Sequence, residues 1–213
     1  MAEKKYLADV ASKVVTVVLH PLLLPIYCTL LVFYTPTPYA AMPTIAKACE
    51  LGFVCFFACL VPLVIIGVLI ALGKVSGIEM SSRSERCLPL SLSAFAIVCS
   101  LAALNSLIPA CISGMVAGEA AVLFVAAVLS FFWKVSLHAI GVGALLAFIS
   151  VSGVAFHQDF SPLAAAAFVA AGVTAWTRLH EEAHTPAQLL VGYAIGFVFM
   201  GAIMNVALLR PIL

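Results

Sequence analysis

The segment WTRLHEEAHTPAQLLVGY, residues 176–193, places Arg, two His and two Glu within seven positions of an otherwise apolar chain. The 213 residues are 65% hydrophobic and 9% charged, whereas an ordinary soluble domain carries about a quarter charged residues. Apolar runs that approach the roughly 20 residues needed to cross a bilayer flank this segment on both sides. We therefore predict an all-α integral membrane protein in which the segment connects two membrane helices.

Seven apolar runs are predicted to span the membrane as one polytopic helical bundle, with residues 1–213 forming a single integral membrane domain. Only residues 109–112 separate the third run from the fourth, so we expect six to seven transmembrane helices. The predicted spans are residues 14–34, 51–73, 89–109, 113–133, 136–156, 161–177 and 186–208.

Three polar segments are predicted to lie at one end of the bundle, because each is separated from the next by a pair of spans. They are residues 74–88, 134–138 and 178–185, and the same end holds the N-terminus. Eight of the ten Lys and Arg residues then lie at this end, against Lys47 and Arg210 at the other. The positive-inside bias would place the richer end in the cytoplasm. However, five of the eight belong to the polar segments, and without them the count is three against two.

Composition excludes several classes of protein. A net charge of +1 gives no basic surface for nucleic acid. The seven cysteines form no CxxC pair and lie mostly in apolar runs, which argues against a disulfide framework or a zinc ribbon. Membrane lipids are therefore the expected surroundings.

Residues 180–184, HEEAH, match the HExxH pattern of zinc proteases. On a helix, His180 and His184 would share one face and bind Zn²⁺, with Glu181 as the general base. No Asp, Glu or His follows His184, so a third ligand would have to be an upstream residue such as Glu119 or Asp159. The predicted topology places both at the opposite end of the bundle, which makes a zinc protease the weaker interpretation.

Phosphate chemistry is a second interpretation of the polar segments. Arginine meets phosphate oxygens in a bidentate manner, so Arg178 is a candidate phosphate ligand. One histidine can attack phosphorus and another can protonate the leaving group, which are roles for His184 and His138. His138 opens an apolar helix shortly after Lys134 and Ser136, and the N–H groups at a helix N-terminus attract anions.

Three short stretches resemble the motifs of the type-2 phosphatidic acid phosphatase family. Residues 177–188 read Thr-Arg-x5-His-x3-Gln, which resembles the third motif, Ser-Arg-x5-His-x3-Asp. Residues 136–138, Ser-Leu-His, resemble the second motif, Ser-Gly-His. Residues 86–89, Arg-Cys-Leu-Pro, loosely resemble the end of the first motif, Lys-x6-Arg-Pro. The order of the motifs agrees with the family, and the resemblance covers about residues 86–200.

The resemblance implies a membrane-embedded phosphatase that uses no metal or cofactor and acts on lipid phosphates or polyprenyl diphosphates in phospholipid metabolism. It implies a phosphohistidine intermediate on His184, with His138 as the general acid. It also implies the inner membrane of a bacterium, with the site on the outer side. Arg86, Ser136 and Arg178 are implied to bind phosphate. Lys134, the basic residue two positions before the second motif, is a further candidate phosphate ligand.

Three positions depart from the family pattern. Glu79 stands where the first motif has lysine, Leu137 replaces the glycine of the second motif, and Gln188 replaces the aspartate of the third. Gln188 or Glu181 would then orient His184. These departures leave open a catalytically inactive member that binds or moves lipid phosphates without hydrolysing them.

The first predicted span contains LHPLLLP, residues 19–25. Two prolines predict a kinked helix. His20 is expected near the membrane interface or hydrogen-bonded inside the bundle, with a role as a further ligand in the substrate cavity as the alternative.

Overall fold

A computed structural model describes residues 2–80 and 82–209. These two ranges contain α-helices joined by turns and no strand, which confirms the all-α prediction. The helices are α1 (Ala2–Val18), α2 (Leu24–Tyr34), α3 (Thr44–Val54), α4 (Val61–Ala71), α5 (Cys87–Leu104), α6 (Ala110–Ser130), α7 (Leu137–Ala155), α8 (Ser161–His180) and α9 (Pro186–Leu209).

Six helices in the described residues are long and apolar enough to cross a membrane, which indicates an integral membrane protein. Large apolar side chains cover their outer surfaces. Phe95, Phe124 and Phe168, for example, are 60–68% exposed, as side chains that face acyl chains would be. The six candidates are Thr44–Ala71, Arg83–Leu104, Ala110–Ser130, Leu137–Ala155, Ser161–His180 and Pro186–Leu209.

The first span predicted for residues 14–34 is broken in the structure, where α1 and α2 form a pair bent by 40°. The predicted kink at LHPLLLP is confirmed and lies at Leu19 and His20. Pro21 lacks an N–H group and cannot continue α1. The His20 side chain begins the next turn, because its Nδ1 accepts a hydrogen bond from the Leu22 N–H at 3.3 Å.

The second span is longer than predicted, since α3 starts at Thr44 and α4 ends at Ala71. The two helices are joined without interruption by a π-helical turn, Cys55–Leu60. Val61 donates its N–H to the Phe56 carbonyl, five residues earlier. A proline ring displaces the carbonyl four residues before it, so Pro62 accounts for the wider turn.

α7 and α9 pack with their backbones in close contact, and small residues allow this. A Cβ atom at Gly196 would overlap the Ile140 carbonyl oxygen, and one at Gly143 would overlap the Tyr193 carbonyl oxygen. A Cβ at Gly192 would come within 2.9 Å of the Ser136 carbonyl oxygen. The start of α7 is therefore held directly against the first half of α9.

The polar segments do meet at one end of the bundle, as the sequence predicts. The turns between α4 and α5, between α6 and α7, and between α8 and α9 contribute Glu79, Lys134 and His184 to a single cavity. α1 reaches the same cavity through Thr16. Arg210, which the sequence places at the opposite end, lies outside the described residues.

α1 is an amphipathic helix that packs against the end of α8. Asp9, Ser12 and Thr16 lie on the side that contacts α8 and the residues just after it. Tyr6 and Val14 lie on the other side and are 68% and 56% exposed. A helix with one polar and one apolar side suits the membrane interface.

Candidate functional site

A cavity of about 330 Å³ lies among α2, α4, α5, α6 and α7 and the polar turns that join them. Arg86, Lys134, His138, Arg178 and His184, all predicted from sequence, line this one cavity. His20, Glu79 and Glu181 also line the cavity at this polar end. The rest of the wall is mainly apolar.

Arg86 is buried and its guanidinium is fixed by two carbonyl groups. Nε donates to the Met80 carbonyl at 2.9 Å, and Nη1 donates to the Val135 carbonyl at 2.7 Å. These acceptors come from two different polar turns, so Arg86 joins them. Within the described ranges no acceptor takes a bond from Nη2, which is therefore the nitrogen that can meet an anion in the cavity.

Lys134 supplies a second cation at the polar end. Partial burial lowers the pKa of its ammonium group, and the nearby positive charge of Arg86 adds to this, while Glu79 acts in the opposite direction. An anion bound between two neighbouring cations is favourable because it offsets the repulsion between their positive charges. Lys134 and Arg86 together form an anion-attracting corner of the cavity.

Arg178 is buried near the end of α8, with its side chain 4% exposed. Its Nη2 donates to Thr16 Oγ1 and to a carboxylate oxygen of Glu181. The other carboxylate oxygen of Glu181 accepts a bond from Ser12 Oγ at 2.6 Å. Glu181 was a sequence candidate for orienting His184, but its carboxylate pairs with Arg178 because the two residues are three apart at a helix end.

Replacing Glu181 with Gln is expected to strengthen the binding of inorganic phosphate by about tenfold, since phosphate no longer competes with a carboxylate for Arg178. Isothermal titration of the purified protein in detergent measures this affinity. Glu182→Gln is the matched control, because Glu182 makes no contact with Arg178 among the described residues. Equal affinities in the two variants would contradict competition at Arg178.

His138 lies in the first turn of α7 and points into the cavity between α1 and α2. Its Nε2 donates to the Thr16 carbonyl at 3.3 Å. The His20 ring packs edge-on against it, with 5.3 Å between ring centroids and an angle of 86° between the ring planes. His20 also lines the cavity, in agreement with its predicted alternative role as a further ligand there.

Ser136 is not among the residues that line the cavity. It is fully buried, and its Oγ caps α7 by accepting from the Ala139 N–H at 3.4 Å. Its own N–H donates to the Gln188 carbonyl at 3.5 Å. Ser136 thus positions the helix that carries His138 and ties it to α9.

His184 is oriented by the first turn of α9. Thr185 and Gln188 form a capping box, in which the Gln188 N–H donates to Thr185 Oγ1 at 3.4 Å and the Thr185 N–H donates to Gln188 Oε1 at 3.1 Å. Pro186 fills the first helical position, where its missing N–H costs nothing. Gln188 Oε1 also accepts from His184 Nδ1 at 3.1 Å.

This hydrogen bond fixes the tautomer of His184. Because an amide oxygen only accepts, Nδ1 carries the proton and Nε2 keeps its lone pair. Burial lowers the pKa of His184 to about 4, with smaller contributions from nearby arginine and lysine charges, while the bond to Gln188 acts in the opposite direction. At neutral pH His184 is therefore an uncharged imidazole with a nucleophilic nitrogen.

The HEEAH segment does not have the geometry of a helical zinc motif. α8 ends at His180, and Glu182 adopts a positive φ of 52° that turns the chain away from the helix axis. His180 Nε2 donates to Asp9 at 2.8 Å, and its ring stacks on Trp176, whereas His184 lines the cavity. Among the described residues, no group of three or more His, Cys, Asp or Glu side chains is placed to hold a metal ion.

Two parts of the site were not predicted from sequence. Thr16 and Ser12 of α1 contact Arg178 and Glu181, which lie more than 160 residues later. Glu119 was expected at the opposite end of the bundle, but it lies in the middle of α6 and lines the cavity. An ionisable residue within an apolar run is itself a signal of function, and this signal applied to Glu119.

Comparisons of the chain with models of protein families, with curated proteins and with solved structures gave no match.

Proposed function

We propose that the protein is a membrane-embedded, metal-independent phosphatase that hydrolyses a lipid phosphate or a polyprenyl phosphate or diphosphate through a phosphohistidine intermediate. One observation carries the proposal. His184 presents an unprotonated Nε2 at a cavity that Arg86, Lys134 and Arg178 also line, and the apolar wall of the same cavity continues between the membrane helices.

In the first step, His184 Nε2 attacks phosphorus and a P–N bond forms while the bond from phosphorus to the lipid oxygen breaks. His138, held as the imidazolium by the bound phosphate anion, gives its proton to the departing lipid oxygen and becomes neutral; the lipid leaves as an alcohol, or as a phosphate when the substrate is a diphosphate. In the second step, water attacks the phosphohistidine and returns a proton to His138. The P–N bond breaks, and inorganic phosphate leaves.

The cations stabilise the negative charge that the phosphoryl oxygens carry in the transition state. Arg86 offers Nη2 from a guanidinium already fixed by two carbonyls. Arg178 gives up its carboxylate partner Glu181 when phosphate binds. Since Thr16 bonds to both Arg178 and His138, the arrival of phosphate also loosens α1 from the site.

A protein that binds or moves lipid phosphates without hydrolysing them is the second candidate. Two contacts favour it: Arg178 is paired with Glu181, and the partner of His184 is the neutral amide of Gln188 rather than a carboxylate. A carboxylate would stabilise the imidazolium that forms when the histidine changes charge, whereas an amide only fixes the tautomer.

The test is an assay of the purified protein in detergent with a diacylglycerol phosphate and a polyprenyl diphosphate, each with EDTA present. We expect inorganic phosphate to be released and ³²P from a labelled substrate to be trapped on the protein as an acid-labile, base-stable adduct. Binding without release would favour the second candidate. Loss of activity on chelation would contradict the proposal.

Changing Gln188 to Glu is expected to increase phosphate release at pH 7, by about tenfold, and to move the acid limb of the pH profile upwards from about pH 4. The nucleophile must be neutral, so activity falls as pH decreases through the pKa of His184. A carboxylate beside Nδ1 raises this pKa and strengthens the nucleophile. Gln188→Met, which removes the hydrogen-bond acceptor, is expected to lower the rate without moving the acid limb of the pH profile upwards. Coincident pH profiles for the two variants would contradict the role of residue 188 in orienting His184.

A further inference from the structure

Glu119 is a buried carboxyl group at the inner end of the site cavity. It lies near the middle of α6, it is 8% exposed, and it lines the same cavity as His184. Its Oε2 has no hydrogen-bond partner among the described residues. A buried polar atom without a partner is costly, so the Glu119 carboxyl group, which lines the cavity, would gain from a hydrogen bond to a polar group of a ligand there.

The depth of this end of the cavity can be measured along two helices, α5 and α6. Arg86, the residue directly before α5, and Ser93 on α5 both line the cavity and lie seven residues apart. On α6, Ala126 and Glu119 both line it and are also seven residues apart. At 1.5 Å per residue, each separation corresponds to about 10 Å along the helix axis. Ser93 is therefore about 10 Å deeper in the cavity than Arg86, and Glu119 is about 10 Å deeper than Ala126.

The wall around these two polar side chains is apolar. Cys28, Met115 and Met200 line the cavity and are each at most 5% exposed. A simple hydrocarbon tail would fill this space but would leave Glu119 without a partner. A tail that carries a carbonyl or hydroxyl group at this depth would satisfy it, because a glutamic acid side chain can donate when protonated and can accept in either state.

We propose that Glu119 binds a second polar group of the ligand, so that the site selects acylated lipid phosphates, whose chain linkages carry hydrogen-bonding groups, over polyprenyl phosphates, whose tails carry none. This inference rests on the proposed function for its phosphate end. Ser93 lines the same cavity from α5 and can add a second polar contact. Glu119 is then the residue that determines specificity along the chain of the lipid.

The experiment measures equilibrium binding of three lipid phosphates to the full-length protein in detergent, by displacement of a fluorescent lipid phosphate. The ligands are a diacylglycerol phosphate, the dialkyl ether of the same chain lengths, and a polyprenyl phosphate. We expect the wild-type protein to bind the diacyl compound about tenfold more tightly than either of the others. Equal affinity of the wild-type protein for the three ligands would overturn the inference.

Variants assign the preference to the carboxyl group. Glu119→Gln keeps a donor and an acceptor and is expected to retain the preference, whereas Glu119→Leu is expected to reduce it to within about twofold. Glu50→Leu is the matched control, because Glu50 also carries a buried oxygen without a partner but does not line the cavity. An unchanged preference in Glu119→Leu, or the same loss in Glu50→Leu, would overturn the inference.

Binding and turnover separate the two proposals. Phosphate release from the same three ligands is measured in parallel. If the diacyl preference is present in binding while no ligand is hydrolysed, the phosphatase proposal fails and the assignment of Glu119 stands. If all three are hydrolysed with equal kcat/KM and bound equally, the assignment of Glu119 fails and the phosphatase proposal stands.

Discussion

Replacing His184 with Ala is expected to reduce phosphate release by at least about 10³-fold, because the variant lacks the nitrogen that forms the phosphohistidine. The ³²P adduct should disappear with it. Release of inorganic phosphate from a lipid phosphate by the purified variant, compared with the wild-type protein under the same detergent conditions, measures the effect. Thermal unfolding should be nearly unchanged, since His184 is only partly buried and lies outside the helices.

His180→Ala is the matched control for this prediction. His180 belongs to the same HEEAH segment, but it contacts Asp9 and Trp176 and does not line the cavity. Its replacement is expected to leave turnover within about threefold of the wild-type value, as is usual for a partly exposed residue away from the site. Equal losses in the two alanine variants would contradict the phosphohistidine mechanism and favour a role for the HExxH pair.

Replacing Gly196 with Ala is expected to destabilise the protein by about 3 kcal/mol or more, since a Cβ atom there would overlap backbone atoms of α7 that cannot rotate away. The new methyl group meets the Ile140 carbonyl oxygen and the Ala144 nitrogen. Separating α7 from α9 also breaks the bond between the Ser136 N–H and the Gln188 carbonyl. Activity should therefore fall together with the unfolding temperature in detergent.

Gly172→Ala provides the comparison. Gly172 lies within α8, and a Cβ atom there would have nothing within 4 Å. The same change should leave the unfolding temperature unaltered or slightly higher, because alanine favours a helix more than glycine does. A similar loss of stability in both variants would show that close packing of α7 on α9 is not the cause.

The membrane helices could be predicted from the sequence because each is an apolar run long enough to cross a bilayer. The segment 186–208, for example, was placed within one residue of the observed Pro186–Leu209. α1 could not be predicted in the same way. Its hydrogen-bonding side chains pair with α8 across more than 160 residues, and its residues 14–18 were apolar enough to be joined to α2 as one span.

The candidate site was only partly predictable for a related reason. Arg178, His138 and His184 stand in a spacing that suggested phosphate chemistry, and the structure brings them to one cavity. The pairing of Arg178 with Glu181 depends on α8 ending at His180. The pattern HEEAH suggested instead that the helix continues to His184. The capping box could be recognised in the sequence Thr-Pro-Ala-Gln at residues 185–188. Glutamine is one of the two usual residues at the last position of this motif.

The contacts between α1 and α8 impose an order on how the protein is made. Asp9, Ser12 and Thr16 precede their partners Arg178, His180 and Glu181 by more than 160 residues, so the helices from α2 to α7 are synthesised between the two sets. Before α8 is present, these polar side chains of α1 lack their partners, and water is the favourable alternative because a polar group without a hydrogen bond is costly in lipid. The wall of the cavity at Thr16 is thus completed only after α8, with Arg178, has been made.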